Sequence, residues 1–223
     1  MIYPGAVQGR FLSRPNRFVA QVELEGRVET VHVKNTGRCR ELLLPGAAVG
    51  LAPAANPARK TRWDLVSVDK PGRGWVNLDS QAPNQLVKGW LETQGWDRVR
   101  PEFAYGSSRI DFAMEKEGRT HLLEVKGCTL EVEGVGYFPD APTQRGVRHL
   151  RELTAARQAG LHSAVAFVVQ MEGVTQVRPN RATHPAFGDA WDEARAAGVE
   201  FLFLLCRTGP DQLELDRVVR PED

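Results

Sequence analysis

Cysteine is scarce in this chain of 223 residues. The three that occur, Cys39, Cys128 and Cys206, are an odd number, and no two of them lie close together in the sequence. Such a set supports neither a disulfide framework nor a zinc site built on paired cysteines, so we predict three reduced thiols. The composition, 42% hydrophobic and 26% charged, is that of an ordinary soluble globular protein.

Long apolar stretches are also missing. The longest uninterrupted ones, residues 164–169 and 201–206, are far shorter than the roughly 20 residues that a helix needs to span a bilayer. Residues 1–4 do not begin a basic region followed by an apolar core, which is the pattern of a secretory signal. We therefore expect a cytoplasmic protein with no membrane partner.

Several common catalytic motifs are absent. The chain contains no G-x-x-x-x-G-K-[ST] phosphate loop, no G-x-S-x-G nucleophile elbow and no H-E-x-x-H zinc helix. Each of these motifs places a particular group, a lysine with backbone amides, a serine or a metal-binding histidine pair, at a fixed position in the fold. Their absence argues against nucleotide hydrolysis and serine chemistry.

Charge is unevenly distributed along the chain, although the formal net charge is only +1. Residues 1–83 carry 12 Lys and Arg against 7 Asp and Glu, whereas the remainder carries 17 against 21. A surplus of positive charge in one part of a protein favours contact with phosphates. The distribution therefore points to the N-terminal part as a surface for nucleic acid.

The N-terminal part, residues 1–83, is predicted to be a small β-barrel. Apolar residues alternate over residues 18–24, and Glu25-Gly26 turns the chain back through residues 28–33, which makes a hairpin. Further strands are predicted at residues 47–51, 63–68 and 75–78. Five short strands in about eighty residues are typical of a barrel of the OB kind.

Basic residues in this barrel are candidates for nucleic-acid binding, because OB-type proteins combine positive charge with exposed aromatic rings. Asn35-Thr36-Gly37-Arg38 adds a tight turn whose amides could meet a phosphate, although such turns also form for conformational reasons alone. The alternative is that the aromatic rings belong to the core and the arginines solubilise the surface. The candidates are Arg10, Arg14, Arg17, Lys34, Asn35, Arg38, Arg59, Lys60 and Arg62, interleaved with Phe11, Phe18 and Trp63.

Residues 84–223 alternate between helical and strand patterns, which predicts an α/β domain with a mixed sheet. Asn84 is the predicted N-cap of a helix that ends before Gly95, and Thr143 is the predicted N-cap of a helix that runs to Gly160. A buried strand follows the second helix, so a crossover with parallel central strands is expected. Predicted strands cover residues 99–105, 109–114, 121–128, 130–132, 165–169 and 199–206, and a last helix covers residues 185–197.

Two turns in this domain fix the register of three consecutive strands. A two-residue turn at Glu117-Gly118 places Asp111 opposite Glu124, and because side chains alternate along a strand, Lys126 lies on the same face. A second turn at Gly106-Ser107 places Glu102 opposite Asp111. Three acids and a lysine are therefore predicted to converge.

Neighbouring carboxylates need compensation, because like charges about 5 Å apart repel by roughly 3 kcal/mol at an effective dielectric constant near 20. A hard divalent cation supplies it, so we predict Mg²⁺ or Mn²⁺ bound by Asp111 and Glu124, with the Val125 carbonyl as a third ligand. Lys126 would stand beside the attacking water, and Glu102 would be an auxiliary acid. The alternative is a solvated strand face with a weak ion pair.

The helix that begins after Thr143 carries a second basic surface. Arg145, Arg148 and His149 fall on two of its stripes, where we predict contacts to phosphates. For His149 we favour a phosphate contact over metal ligation, since it has no histidine or carboxylate partner at helical spacing. An exposed, charge-rich helix face is the alternative.

These motifs resemble known families. Asp, a spacer and Glu-x-Lys on a hairpin resemble the PD-(D/E)xK nuclease signature, and the whole chain resembles the sugar fermentation stimulation protein A (SfsA) family. That resemblance implies an OB-like domain joined to a nuclease-like α/β domain, DNA binding and a part in regulating sugar-utilisation genes. Val33-Lys34 and Arg38 depart from the family pattern around Asn35. The matching phrases are Asn35-Thr-Gly37, Ser108-Arg-Ile-Asp111-Phe, Glu124-Val-Lys126, Phe138-Pro-Asp140 and Thr143-x-Arg145-Gly-x-x-His149-Leu.

Three functions remain open at this point. The first is a DNA-binding protein with a metal-dependent phosphodiester hydrolysis site, which the Asp111, Glu124 and Lys126 constellation favours. The second is a non-catalytic DNA-binding regulator of sugar-utilisation genes of the maltose type, which keeps the nuclease-like fold as a scaffold. The third, an RNA-binding module, follows from the OB-like barrel.

Overall fold

The computed structural model describes residues 1–35, 37 and 39–221. The N-terminal domain is a closed β-barrel, as predicted, because β3 pairs with both β2 and β5 and so closes five strands into a ring in the order β3-β2-β1-β4-β5. A sixth strand, β6, extends it beyond β5. The bounds are β1 Val7–Asn16, β2 Val19–Leu24, β3 Arg27–Val33, β4 Ala48–Pro53, β5 Trp63–Lys70 and β6 Gly74–Asn77.

The hairpin of β2 and β3 forms at the predicted turn. Glu25 and Gly26 both have positive φ, 51° and 75°, as a two-residue turn between twisted strands requires. The first barrel strand, β1, was missed by the sequence prediction. Its ten residues leave only Phe11 fully buried, and its pairing with β2 is interrupted by bulges, so its hydrophobic alternation is weak.

The C-terminal domain is built on a six-stranded mixed sheet in the order β15-β14-β12-β9-β8-β7. Strands β9, β12 and β14 run parallel to one another, as the predicted crossover requires, while β7, β8 and β15 are antiparallel to their neighbours. The bounds are β7 Arg98–Tyr105, β8 Ser108–Lys116, β9 Arg119–Cys128, β12 His162–Val169, β14 Glu200–Thr208 and β15 Leu213–Val219.

Helices cover both faces of this sheet, α1 Ala82–Glu92 on one side and α2 Gln144–Gln158 and α3 Pro185–Ala196 on the other. Val87 of α1 belongs to the same buried cluster as Leu123 of β9. Leu150 of α2 and Phe187 of α3 belong to the cluster on the opposite face with Leu122. No helix among the described residues is long and apolar enough to cross a membrane.

The helix starts differ in how well the sequence predicted them. Thr143 caps α2 as predicted, since its hydroxyl accepts a hydrogen bond from the Gly146 amide at 3.0 Å. The prediction for α1 was wrong, because the N-cap is Gln81 and Asn84 lies inside the first turn. Pro83 is tolerated there, since the first-turn amides of a helix have no intrahelical partner. The side chain of Asn84 is thereby free to point at the neighbouring sheet.

A small third sheet, in the order β10-β11-β13, lies beside the main one. Only its first strand was predicted, and β11 and β13 were missed. Its bounds are β10 Leu130–Val132, β11 Val135–Phe138 and β13 Val177–Pro179.

The two domains are joined by buried polar contacts. The Gln170 amide, directly after β12, donates to the Asn77 carbonyl and side-chain oxygens of the barrel at 3.1 and 2.9 Å. Lys70 of β5 forms an ion pair with Glu131 of β10 at 2.7 Å. The Gln170 amide also donates to the Asp79 carbonyl at 3.3 Å, so it holds the start of the loop that leads from β6 into α1.

Candidate metal centre and nucleic-acid surface

Asp111 and Glu124 lie side by side at the point where β8 and β9 stop pairing. The antiparallel ladder ends at Phe112 opposite Leu123, in the predicted register. One step further, the Val125 amide donates to Asp111 Oδ2 at 2.8 Å, and the Asp111 amide lies 3.4 Å from Glu124 Oε2. Each carboxylate therefore contacts the backbone of the other strand, and two acids share one strand end.

Asp111 is held by groups from two elements. The Asn84 side-chain amide of α1 donates to its Oδ1 at 2.8 Å, while the backbone amide of Val125 in β9 donates to its Oδ2. Burial raises the pKa of Asp111, and the neighbouring Glu124 charge raises it further, against the lowering effect of Val125, Lys126 and Asn84. The surroundings therefore compensate its negative charge only in part.

Glu124 is more deeply enclosed, with 2% of its surface exposed. Its Oε1 accepts hydrogen bonds from Lys126 Nζ at 2.5 Å and from His149 Nδ1. Burial alone would raise the pKa of Glu124, but the hydrogen bond from His149 and the charge of Lys126 hold it below its ordinary value on balance. Glu124 is therefore ionised at neutral pH.

His149 is buried in this site, with 1% of its surface exposed, and both ring nitrogens have partners. Nδ1 contacts Glu124, and Nε2 lies 3.3 Å from Arg145 Nε, which donates to it. The predicted phosphate contact would need an exposed ring, so this placement fits a role in positioning Glu124 instead. The signal was present in the sequence, since His149 falls on the buried stripe of α2 with Gly146, Leu153 and Ala156.

The backbone N–H of Val125 is directed towards the edge of β9 where the Asp111 carboxylate lies. The N–H and C=O of one residue point to the same side of a strand, and the Val125 N–H points at Asp111. Its carbonyl therefore points to the side where β8 no longer pairs. Val125 and Asn84 also line a cavity of about 360 Å³ between the barrel and the C-terminal domain.

The donor set of this centre suits a hard divalent cation. Asp111, Glu124 and the Val125 carbonyl offer only oxygen atoms, which Mg²⁺ and Mn²⁺ prefer. Among residues 1–35, 37 and 39–221, no group of three or more His, Cys, Asp and Glu side chains is arranged to hold a metal ion. The protein thus supplies two carboxylates and one backbone oxygen, and Mg²⁺ commonly completes such a set with water and phosphate oxygens.

Glu102 lies on the strand next to Asp111 but differs from its neighbours. The flanking pairs, Pro101 with Phe112 and Phe103 with Ile110, keep the predicted register of β7 and β8. Glu102 itself is exposed, with a φ of 52°, and has no described hydrogen bond or ion pair to Asp111. It is also not among the groups that shift the pKa of Asp111 most, so its role as an auxiliary acid stays a prediction.

Three of the basic barrel candidates hold other parts of the protein. Arg14 donates to the carbonyls of Asn35 and Gly37 at 2.7 and 2.9 Å, and so shapes the loop after β3. Lys34 Nζ lies 2.6 Å from the buried Asp79 carboxylate. Arg59 is paired with Asp64 at 2.5 Å. Their charges are committed to contacts inside the protein.

The remaining basic candidates are more available. Arg38 falls outside the part of the chain that the structure describes. Arg148 lies over the start of β8, with Nε 3.3 Å from Ser108 Oγ, three residues before Asp111. The exposed candidates are Arg10, Arg17, Lys60, Arg62, Arg145 and Arg148.

Comparisons with known proteins agree on one family over almost the whole chain. A model described as the SfsA N-terminal OB domain matches residues 12–78, and one described as the sugar fermentation stimulation protein RE domain matches residues 81–212. A sugar fermentation stimulation protein homolog of Desulfitobacterium hafniense strain DCB-2 is 48% identical over 217 residues, 96% of this chain and 95% of that protein. A homolog of Ruminiclostridium cellulolyticum is 44% identical over 223 residues, 98% of each.

A solved structure is also similar over almost the full length. The structure of Pyrococcus furiosus SfsA in complex with Ca²⁺ superimposes with a TM-score of 0.85 at 26% sequence identity, and it covers 99% of this chain and 95% of that one. The likeness therefore includes both the barrel and the mixed sheet.

Proposed function

Because the chain belongs to the sugar fermentation stimulation protein (SfsA) family, we propose that it binds DNA and hydrolyses phosphodiester bonds with Mg²⁺ or Mn²⁺. The observation that carries the proposal is the pair of acids at one strand end, Asp111 with a raised pKa beside an enclosed Glu124. A divalent cation stabilises such a pair because it offsets the repulsion between the two negative charges. The P. furiosus relative, solved in complex with Ca²⁺, supports a cation of this kind.

The residues have separate roles in this function. The cation would be held by Asp111, Glu124 and the Val125 carbonyl. When bound, it would act as a Lewis acid on the phosphate and lower the pKa of its bound water. Asn84 orients Asp111, and His149 orients Glu124. Two carboxylates fixed in this way need little rearrangement to act as ligands.

Lys126 is the third member of the motif and lies against Glu124 Oε1. Its ammonium group carries the positive charge nearest to the two acids. In hydrolysis it would orient the attacking water and stabilise the negative charge that grows on the phosphate. Glu102 would be an auxiliary acid at the exposed rim.

DNA binding is supported by exposed positive charge on both domains. Arg148 and Arg145 are exposed on α2, and Arg148 contacts the start of β8 close to Asp111. Arg17, Lys60 and Arg62 are exposed on the barrel. Arginine and lysine at these positions would neutralise phosphates and fix the orientation of the nucleic acid.

A second function, a non-catalytic DNA-binding regulator of sugar-utilisation genes, is favoured by a different observation. Glu124 Oε1 already accepts hydrogen bonds from Lys126 and His149, and the described residues hold no three-ligand cluster of acids, histidines and cysteines. In that case the lysine would act as the permanent counter-ion of Glu124.

One experiment separates the two functions. Purified protein is incubated with labelled single- and double-stranded DNA and RNA in Mn²⁺, Mg²⁺ or chelator, beside Asp111→Asn and a matched control, Asp97→Asn, at the other end of the paired strands β7 and β8. Metal-dependent cleavage that is lost only in Asp111→Asn supports hydrolysis. Binding without cleavage in every metal overturns it and favours the regulator.

A further inference from the structure

We infer that this site takes an unpaired nucleic-acid strand. Its phosphates would lie on arginines of the barrel, one base would stack on Phe18, and another base would enter the cavity beside Asp111. The inference rests on the proposed function for its chemistry, and it adds the substrate class and a binding residue to it. It is drawn from the shape of one groove between the two domains.

The outer end of the groove is a basic cleft on the barrel. Arg14, Arg17 and Arg40 line it together with Leu43. Arg17 and Arg40 are exposed, whereas Arg14 holds the floor through the carbonyls of Asn35 and Gly37. A cleft of this charge suits a phosphate backbone in either a single strand or a duplex.

Phe18 distinguishes between those two forms. Of the three aromatic candidates in the barrel, Phe11 is buried and Trp63 packs against the core, but Phe18 is 54% exposed. It directly follows Arg17, whose guanidinium lies 5.7 Å from the centre of its ring. An exposed ring beside an arginine is a stacking platform for an unpaired base, and a paired base offers no free face to it.

The cleft and the cavity are adjacent. Gly37 and Ala141 line both spaces, one from the barrel and one from the C-terminal domain. A Cβ atom at Gly37 would lie 2.7 Å from Asp140 Oδ2 and 2.8 Å from Asn35 Oδ1. A side chain at residue 37 would therefore displace the side chains of Asp140 and Asn35 where the two spaces adjoin.

The inner end has the size and chemistry of a nucleotide site. Its volume of about 360 Å³ lies at the small end of ligand pockets. Its lining includes Tyr137 and the hydroxyl-bearing residues Ser80 and Thr129. A base can enter such a pocket only when it is out of the stack. Asn84, which also lines it, leads directly to Asp111.

The test measures binding without cleavage. Fluorescence anisotropy in chelator compares a labelled single strand of DNA, the same strand in RNA and the blunt DNA duplex. We expect the single strands to bind more tightly than the duplex, and Phe18→Ala to weaken single-strand binding by roughly 5- to 100-fold, the range for loss of one stacked base. Phe18→Trp should restore it. The DNA and RNA arms show which sugar the groove accepts.

Controls keep the result specific. Val28→Ala removes another exposed hydrophobic side chain, 65% exposed on β3, and should leave binding unchanged. Gly37→Val should lower the fluorescence increase of a 2-aminopurine base at the strand end, which reports entry into the cavity. Equal affinity for strand and duplex, or full binding by Phe18→Ala, overturns the inference.

The outcome is separable from that of the proposed function. Tight single-strand binding that depends on Phe18, without cleavage in Mn²⁺, would leave the inference standing and remove the hydrolysis. Cleavage that prefers the duplex and is unchanged in Phe18→Ala would support the hydrolysis and overturn the inference. Protein that binds no nucleic acid at all would overturn both.

Discussion

Glu124 and His149 form a buried hydrogen bond across 25 residues of sequence, between Oε1 of the carboxylate and Nδ1 of the ring. The bond ties α2 to the strand that carries the Glu-x-Lys motif. Because Arg145 occupies the other ring nitrogen, the imidazole is fixed in one orientation. A neutral ring with its proton on Nδ1 satisfies both contacts.

Replacing His149 by alanine should destabilise the protein by about 1–3 kcal/mol, because Glu124 is buried and would lose a hydrogen bond that water cannot replace. Urea unfolding in chelator measures this change. It should also weaken Mn²⁺ binding by roughly 10- to 100-fold, as loss of a group that orients a ligand does. Arg148→Ala, an exposed neighbour on α2, is the control, and equal losses in the two variants would contradict a positioning role.

Stabilisation by Mn²⁺ should depend on pH through Asp111. The pKa of this carboxyl is raised above the ordinary 3.8, by burial first and by Glu124 second. In chelator, ionisation of Asp111 therefore lowers the free energy of unfolding as the pH rises through its folded pKa. With Mn²⁺ present, protons compete with the cation, so the gain in Tm should be full above that pKa and disappear below it.

Asn84→Ala tests the same linkage. The Asn84 hydrogen bond lowers the pKa of Asp111, so its loss should move the Mn²⁺ transition to higher pH. Thermal unfolding with and without Mn²⁺ over a pH series gives the midpoint. A transition that stays in place in Asn84→Ala, or one that survives in Asp111→Asn, would show that another group controls it.

The acid pair could be predicted from sequence because its geometry is local. Two short turns fix the register of three consecutive strands, and Asp111 and Glu124 follow from that register. The contacts made by His149 and Asn84 could not be predicted in this way, since each lies on a helix that packs across the sheet. Their partners depend on tertiary packing, which turn chemistry does not encode.

The barrel shows the same division. The β2–β3 hairpin was predicted from its turn, but β1 was missed because its bulges break the alternation. The count of basic residues in the sequence also overestimated how many are available to bind nucleic acid. From the sequence, Lys34 and Arg59 were predicted to be available for phosphates. In the structure Lys34 forms an ion pair with Asp79, and Arg59 forms one with Asp64.

The three cysteines should be unreactive in the folded protein. All are buried, and burial raises the pKa of Cys39, Cys128 and Cys206 to about 12 each. Since the thiolate is the reactive form, Ellman's reagent at pH 8 should modify no thiol until denaturant is added. One fast-reacting thiol in the native protein would place that cysteine at the surface.

The same shifts predict a loss of stability at high pH. The folded pKa of each thiol lies above the unfolded value near 9.0, so the stabilising contribution is full below pH 9 and falls as the pH rises toward 12. Guanidinium unfolding at pH 8 and pH 10 measures it. Cys128→Ala should reduce the pH dependence, and an unchanged slope would assign it to other groups.

Lys34 should prove to be a structural residue and not a phosphate contact. Its partner Asp79 is fully buried and also accepts from the Tyr3 hydroxyl at 3.3 Å. Lys34→Met would leave that carboxylate without its counter-ion, and loss of one partner of a buried pair costs about 3–5 kcal/mol. Adding Asp79→Asn should recover part of the loss, which urea unfolding of the single and double variants can measure.

Nucleic-acid binding provides the contrasting measurement. Lys60 and Arg62 are exposed, and a phosphate contact by either should change the salt dependence of binding by a slope of about 0.7–0.9 when the residue is replaced by glutamine. Lys34→Met, assayed at a temperature where it remains folded, should leave that slope unchanged, because its charge is already neutralised inside the protein. A reduced slope in Lys34→Met with normal stability would mean that the pair opens to meet the phosphate backbone, and the buried ion pair would then be a feature of the free protein alone.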